Sequence, residues 1–288
     1  MKTKLYFLLC MLCALSYGEL KAEQTFIRIS THETDLILQT APNGRLYQSY
    51  FGSRLMNEAD IKTLPYYIAR PATDGSVALR GWEVYPGSGA EDFFEPAFGI
   101  QHNDGNLTSI LTYVSHSEKK IDSNVKETII EMKDPVYPLY VTLHYIAYGK
   151  ENVIKSWTEI KHQEKKPITM SQYASSMLYF ESDAYFLNEL SGDLAKEVQL
   201  STQQLHFGKK LIDTKLGSRA AMHAHPFFQI GLGQEVCENH GDVLVGTIGW
   251  TGNFRFTFEV DNVNNLRVIS GINPYASMYE LKPNEVFT

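Results

Sequence analysis

Along most of this 288-residue chain, hydrophobic and polar positions alternate with a period of two. In Phe254-Arg255-Phe256-Thr257-Phe258-Glu259-Val260 the alternation is strict, so a pleated strand sets three Phe on one face and Arg255, Thr257 and Glu259 on the other, in water. Leu139 to Tyr145 repeats the pattern, with Tyr140, Thr142 and His144 on its more polar face. Asp35 to Thr40, then Pro42-Asn43-Gly44, then Arg45 to Tyr47 predict a hairpin, because Asn-Gly supplies the positive φ angles of a type I′ turn. Further strands are predicted over 109–114, 125–132, 153–160, 173–180, 243–249 and 266–269. The best helical candidate is the short stretch 57–64, stopped by Pro65.

About ten strand-like runs separated by Gly, Pro and Asn, with no alternating long helices, predict an all-β protein, a large antiparallel β-sandwich. The same pattern excludes a Rossmann fold and a TIM barrel. No fixed-period repeat, low-complexity stretch or composition-shifted linker divides the sequence, so 23–288 reads as one domain.

Composition agrees with a folded chain: 43% hydrophobic, 12% aromatic and 20% charged residues exclude disorder, collagen and coiled coil. The first residues read as a targeting segment. Lys2 and Lys4 precede an apolar run from Leu5 to Leu15, and small residues offer cleavage after Gly18 or Ala22. The run is shorter than the roughly 20 residues of a transmembrane helix. Leu9 and Leu12 stand where a lipoprotein signal has a small residue before its cysteine. Residues 1–22 are therefore expected to be a signal peptide, and the protein to be secreted or periplasmic. Cleavage after Gly18 removes two of 26 basic residues and leaves 24 against 33 acidic, a charge of −9; cleavage after Ala22 leaves 23 against 32 and the same charge. With no Lys/Arg cluster to offset it, neither nucleic acid nor a membrane is expected as a partner. Of the three cysteines two leave with the leader, and Cys237 alone forms no intrachain disulfide.

His223-Ala224-His225 has the spacing of a strand-borne metal pair. Pro226 is expected to end the strand there, and no third ligand follows at a fixed spacing, so no metal or cofactor site is expected. Cys237 lies in Glu235-Val236-Cys237-Glu238, a carboxylate-rich setting that disfavours the thiolate a nucleophile needs. There is no Gly-x-Ser-x-Gly elbow and no Walker loop. A sugar-cleaving enzyme needs two carboxylates about 5–10 Å apart. Glu91 and Asp92 are neighbours that face opposite ways on an extended chain, so they are not simply that pair. The Gly-rich loop Tyr85-Pro86-Gly87-Ser88-Gly89-Ala90-Glu91-Asp92-Phe93 can instead present a carboxylate to sugar hydroxyls, since functional residues concentrate on loops.

Several segments, in order, resemble the amino-terminal domain of glycoside hydrolase family 36 α-galactosidases. They are Tyr85-Pro86-Gly87-x-Gly89-x-x-Asp92-Phe93, the segment from Ser191 to Glu197, and the block from Gly217-Ser218-Arg219 to His225-Pro226-Phe227-Phe228. The closing stretch belongs with them: Trp250-Thr251-Gly252-Asn253-Phe254, Gly271-Ile272-Asn273-Pro274-Tyr275, and Leu281 to Thr288. The resemblance spans essentially the whole mature chain. It implies a β-supersandwich of galactose mutarotase type, followed in the family by a catalytic (β/α)8 barrel and a small β domain. Family members release terminal α-galactose with retention, using aspartates of barrel motifs that come after the segment ending at Thr288. A barrel takes about 250 residues, so no catalytic residue is expected in this chain, which would support the barrel and be inactive alone. In tetrameric bacterial members a loop of this domain reaches a neighbouring active site. By resemblance the loop from Tyr85 to Asp92 is its counterpart, with Asp92 and Tyr85 as substrate-binding residues, although Phe94 and Leu194 stand where the family usually has Arg and Trp. The implied partners are a galactoside oligosaccharide, the catalytic barrel in cis or trans, and further copies of the chain in a homo-oligomer.

Two other functions fit the sequence. One is a free-standing carbohydrate-binding sandwich that uses Trp82, Tyr85 and Asp92 for stacking and hydrogen bonding. The other is an aldose epimerase in which His225 and a carboxylate handle the protons of ring opening. Asn106-Leu107-Thr108 is a glycosylation sequon, which matters only in a eukaryotic secretory pathway.

Overall fold

The computed structural model describes residues 24–64, 81–89, 94–217, 219 and 223–288; the expected signal peptide and Asp92 lie outside them. The chain runs through β1 (Phe26–Ser30), β2 (Thr34–Thr40), β3 (Leu46–Ser53), a one-turn helix α1 (Glu58–Ile61), β4 (Phe98–Gln101), β5 (Thr112–Lys120) and β6 (Val125–Lys133). It continues with β7 (Leu139–Tyr148), β8 (Val153–His162), β9 (Ile168–Glu181), β10 (Tyr185–Gly192), β11 (Gln199–Leu205) and β12 (Gly208–Asp213). It closes with β13 (His223–Leu232), β14 (Asp242–Thr247), β15 (Phe254–Val260), β16 (Asn265–Ile272), β17 (Tyr279–Leu281) and β18 (Val286–Phe287).

The strands pair antiparallel in four sheets, ordered β1-β2-β3, β11-β10-β13-β14, β12-β15-β16-β9-β17 with β4 also on β9, and β18-β8-β7-β6-β5. The all-β antiparallel expectation holds. β7 shows why: Leu139, Val141, Leu143, Tyr145 and Ala147 are buried while the residues between them face outward, the period of two made physical. The expected hairpin forms with Thr40 opposite Leu46. Its turn is not type I′, because Gly44 (φ +77°) is left-handed and Asn43 is not. The Gly44 N–H returns to the Ala41 carbonyl at 2.8 Å and the Ala41 N–H to Arg45 at 3.0 Å, so one αL glycine closes a three-residue loop. The expected helix is α1, capped by Asn57, whose side chain accepts from the Ala59 N–H at 3.0 Å.

Two hydrophobic clusters hold the sheets together. The first lies among β1–β3, β6–β8 and most of β9; the second joins the four-stranded sheet to β12, β15 and β16. β9 serves both, giving Met170, Met177 and Tyr179 to the first and Phe180 to the second.

Two strands depart from expectation. In β15 Phe254, Phe256 and Phe258 are buried in the second cluster, but the polar face is not in water: Thr257 is 1% exposed and Glu259 5%. Glu95, at the end of the Gly-rich loop, lies over that face and hydrogen-bonds to it. β13 runs through Pro226 instead of ending at it. Between the Glu189–Phe228 and Ser191–Ala224 pairs one residue of β10 faces three of β13, so β13 bulges through 225–227 and Pro226 has no partner on β10; the ladder to β14 begins only at Phe227, so no ladder bond is lost to the missing N–H.

Candidate functional site

The Gly-rich loop is held at two feet. At the first, Tyr85 is 1% exposed, its ring stacks on Phe98 with centroids 5.4 Å apart, and its hydroxyl donates to the Ala174 carbonyl at 2.6 Å. Burial pushes the phenol well above its ordinary pKa. Tyr85, expected to touch substrate, is therefore a core residue whose one polar side-chain atom is already engaged. The chain then turns back on β4, with Ala97 N–H to Pro86 O at 2.9 Å, Ser88 N–H to Phe98 O at 3.0 Å and Ser109 N–H to Ser88 O at 3.1 Å. This packing explains the glycines. A Cβ on Gly87 would stand 2.6 Å from the Ser109 carbonyl and 2.7 Å from the Phe98 ring; Gly89 has φ +76° and a Cβ there would meet Thr108 Oγ1 at 2.5 Å.

At the second foot Glu95 uses all four of its polar groups. Its N–H donates to Glu259 Oε2 at 2.8 Å, its carbonyl accepts from Arg267 at 2.8 Å, and its carboxylate accepts from Lys209 at 2.6 Å and Arg255 at 3.0 Å. Burial alone would raise the Glu95 carboxyl, but the bond and charge of Lys209, then Arg255, hold it below the ordinary range. Glu259, 3.4 Å from the same Lys209, goes the other way: burial raises it against the Glu95 N–H, Lys209 and Arg267. The Arg267 guanidinium lies 5.4 Å from the Phe94 ring and 5.2 Å from Tyr179. Trp82 stacks flat on Tyr179 at 5.7 Å, so that face of the indole is not a sugar platform. Trp82, Phe94, Glu259, Asp261 and Arg267 line a shallow cleft open to solvent. In sequence Asp92 falls between Tyr85 and Glu95, outside the described residues.

A second polar centre carried no signal in the sequence. His102 Nδ1 is 2.6 Å from Glu164 Oε1 and its Nε2 is 2.9 Å from Ser109 Oγ, the order of a serine triad. Yet Ser109 is 1% exposed, His102 2% and Glu164 7%, and Tyr137 stacks on the imidazole at 3.6 Å. The other Glu164 oxygen accepts from the Asn103 backbone and side chain at 3.1 and 2.7 Å. With no face of Ser109 open to a substrate, the trio staples the loop after β4 to the loop after β8. Glu164 lies 62 residues from His102 along the chain, beyond the reach of any spacing rule.

The remaining candidates are not brought together. His223 is exposed with φ +58°, and His225 is part-buried, its Nε2 without a partner and no carboxylate paired to it among the described residues. Among the described residues no three His, Cys, Asp or Glu side chains could hold a metal ion. Cys237 is exposed, its sulfur 3.3 Å from His240 Nδ1.

Residues 44–282 match the family model described as the glycosyl hydrolase family 36 N-terminal domain. The chain is similar to α-galactosidase 2 of Pediococcus pentosaceus, 25% identical over 285 residues that cover 91% of this chain and 38% of that protein. It is similar also to α-galactosidase AgaA of Geobacillus stearothermophilus, 27% identical over 87% of this chain and 37% of that protein. The crystal structure of AgaA superimposes with a TM-score of 0.82 at 22% identity, over 91% of this chain and 39% of that one, a likeness of fold. An AgaA variant has been crystallised in complex with stachyose. The chain thus spans well under half the length of these relatives.

Proposed function

This chain belongs to the glycosyl hydrolase family 36 N-terminal domains, and from that premise we propose that it is the secreted, non-catalytic β-domain of an α-galactosidase, supporting a catalytic barrel and an oligomer. The observation that carries the reading is Glu95. The carboxylates that close in on the loop, Glu95 and Glu259, are engaged with Lys209, Arg255 and backbone, so they anchor the loop and are not free to trade protons with a substrate. The loop's function is then one of delivery. Asp92 accepts hydrogen bonds from hydroxyls of a terminal galactose held by a barrel, in the same protein or in another. An α-galactoside oligosaccharide as ligand is supported by the stachyose bound to AgaA. Export to a secreted or periplasmic location is supported by Lys2, Lys4 and the apolar run that follows them.

An aryl α-galactoside assay on the purified chain is expected to give no turnover. Turnover that disappears on mutating a residue of this chain would sink the non-catalytic reading. Calorimetry with raffinose separates it from a free-standing binding module, which would release heat in the absence of any barrel.

A further inference from the structure

Asn106-Leu107-Thr108 is the one Asn-x-Ser/Thr tripeptide in the 288 residues. Such a tripeptide takes a glycan only where an enzyme can reach it, on the surface or before the chain folds. Here residues 103–107 are exposed, in the loop between β4 and β5. The loop is a closed turn. The His102 N–H donates to the Asn106 carbonyl at 2.9 Å, the Gly105 N–H donates to the His102 carbonyl at 2.9 Å, and Gly105 takes φ +90°. The tripeptide alone speaks for a eukaryotic secretory pathway. Asp104 widens that reading. Bacterial oligosaccharyltransferases that act in the periplasm require an acidic residue two positions before the acceptor asparagine, and Asp104-Gly105-Asn106-Leu107-Thr108 supplies it.

The turn binds these residues to one another. Asp104 Oδ1 accepts from the Asn106 N–H at 2.9 Å and Asp104 Oδ2 from the Tyr137 hydroxyl at 2.9 Å. Asn106 Oδ1 accepts from the Thr108 N–H at 3.0 Å, while Nδ2, the atom that a glycan is attached to, donates to the Tyr137 oxygen at 2.8 Å. An amide nitrogen carries two N–H groups. Linking a sugar consumes one and leaves the other to hold Tyr137, so the finished linkage is compatible with the folded loop. Leu107 and Val136, 59 and 79% exposed, flank Asn106 and Tyr137 in sequence and are apolar surface that a sugar ring there would shield.

We propose that Asn106 is an acceptor for an N-linked oligosaccharide, transferred from a lipid diphosphate carrier as the chain is exported, with Asp104 and Thr108 as the residues that the transferase reads. In the transfer C1 of the first sugar forms a bond to Asn106 Nδ2. The C1–O bond to the carrier breaks, the lipid diphosphate leaves with the electron pair, and the amide proton passes to a base of the transferase. Nothing is oxidised or reduced. Thr108 is half-buried in the finished fold, its Oγ1 packed where a Cβ on Gly89 would stand 2.5 Å away. The hydroxyl is fully presented only before that packing forms, so transfer precedes folding. Because the transferase faces the exported side of a membrane, the inference rests on the export proposed above.

The full chain is produced in two hosts, a bacterium equipped with a periplasmic oligosaccharyltransferase of the acid-requiring class and its glycan, and a yeast. Intact mass is expected to rise by one glycan in each. Asn106→Gln and, separately, Thr108→Ala are expected to abolish the added mass in both hosts. Asp104→Asn is expected to abolish it in the bacterium and leave it in yeast. Mass reads folded and unfolded chains alike, so a variant that fails to fold still answers. Repeating the experiment with residues 1–22 exchanged for the leader of a known exported protein separates the two readings: a glycan gained only then refutes export by 1–22 and upholds the acceptor. No glycan in either host behind that leader, or a glycan that survives Asn106→Gln, overturns the proposal. Modification in yeast alone overturns the part given to Asp104.

Discussion

Tyr85→Phe removes a single oxygen from the base of the loop. That oxygen donates to the Ala174 carbonyl at 2.6 Å, on a ring that is 1% exposed and stacked on Phe98. A hydrogen bond contributes a net 0.5–1.5 kcal/mol and a buried carbonyl left unpaired adds to the loss, which gives about 1–2 kcal/mol. In a chain of this size each kcal/mol moves the melting temperature by about 2–4 °C, so calorimetry should record a fall of about 2–8 °C. Tyr85→Ala also empties a ring-sized space and should cost about 3–5 kcal/mol. Because the ring does not reach solvent, raffinose binding to the assembled enzyme is expected to be unchanged in Tyr85→Phe at temperatures where both proteins are folded. An unmoved melting temperature together with weakened raffinose binding would refute the reasoning and return Tyr85 to the ligand site.

Gly87→Ala, whose new methyl would press on the Ser109 carbonyl and the Phe98 ring, should destabilise by about 1–3 kcal/mol in denaturant titration. Glu164→Ala strands His102 and Asn103 and should cost about 2–4 kcal/mol, while a fluorophosphonate probe should leave Ser109 unlabelled by mass spectrometry. Acid should destabilise the fold. For Asp35, burial would raise the carboxyl, but Arg28, Ser30 and the Leu55 N–H hold it below its ordinary value, as Lys209 and Arg255 do for Glu95. Carboxyls lowered in the fold stabilise it fully above their ordinary pKa of about 4, and that stabilisation drains away as pH falls through this range toward the folded values. Glu259, raised by burial, works in the opposite sense. Melting temperature should therefore drop below about pH 4, less steeply in Asp35→Asn; a flat profile between about pH 5 and 2 would contradict the assignment.

Local periodicity reaches as far as one strand and its turn, and there it served well. The alternation in β7 and the hairpin around Gly44 were legible because each depends on residues within a few positions of one another. The turn type was not, since Asn-Gly permits two positive φ angles but does not compel them. Periodicity could say that Arg255, Thr257 and Glu259 share a face of β15. It could not say that Glu95, some 160 residues earlier, would cover that face and turn a solvent surface into an ion-pair network. Pro226 misled because the rule against proline in strands is suspended at a bulge, and the bulge in β13 exists only relative to its pairing with β10, more than 30 residues earlier. Tyr85 misled for a related reason. An aromatic beside Pro-Gly on a loop resembles a ligand contact, whereas its ring is the anchor that lets the loop stand. One clue was available: Glu259 lies directly opposite Arg267 in the β15–β16 register, a cross-strand pair of opposite charge that a hairpin reading of 254–272 could have picked out.

The fourteen residues of β9 run through both hydrophobic clusters. A crack opened in one cluster must therefore pull on a strand that the other holds. Amides at the two ends of β9 should exchange with solvent hydrogen in a single event, not in two. A protease that samples transient openings should therefore reach β9 only when both clusters open together.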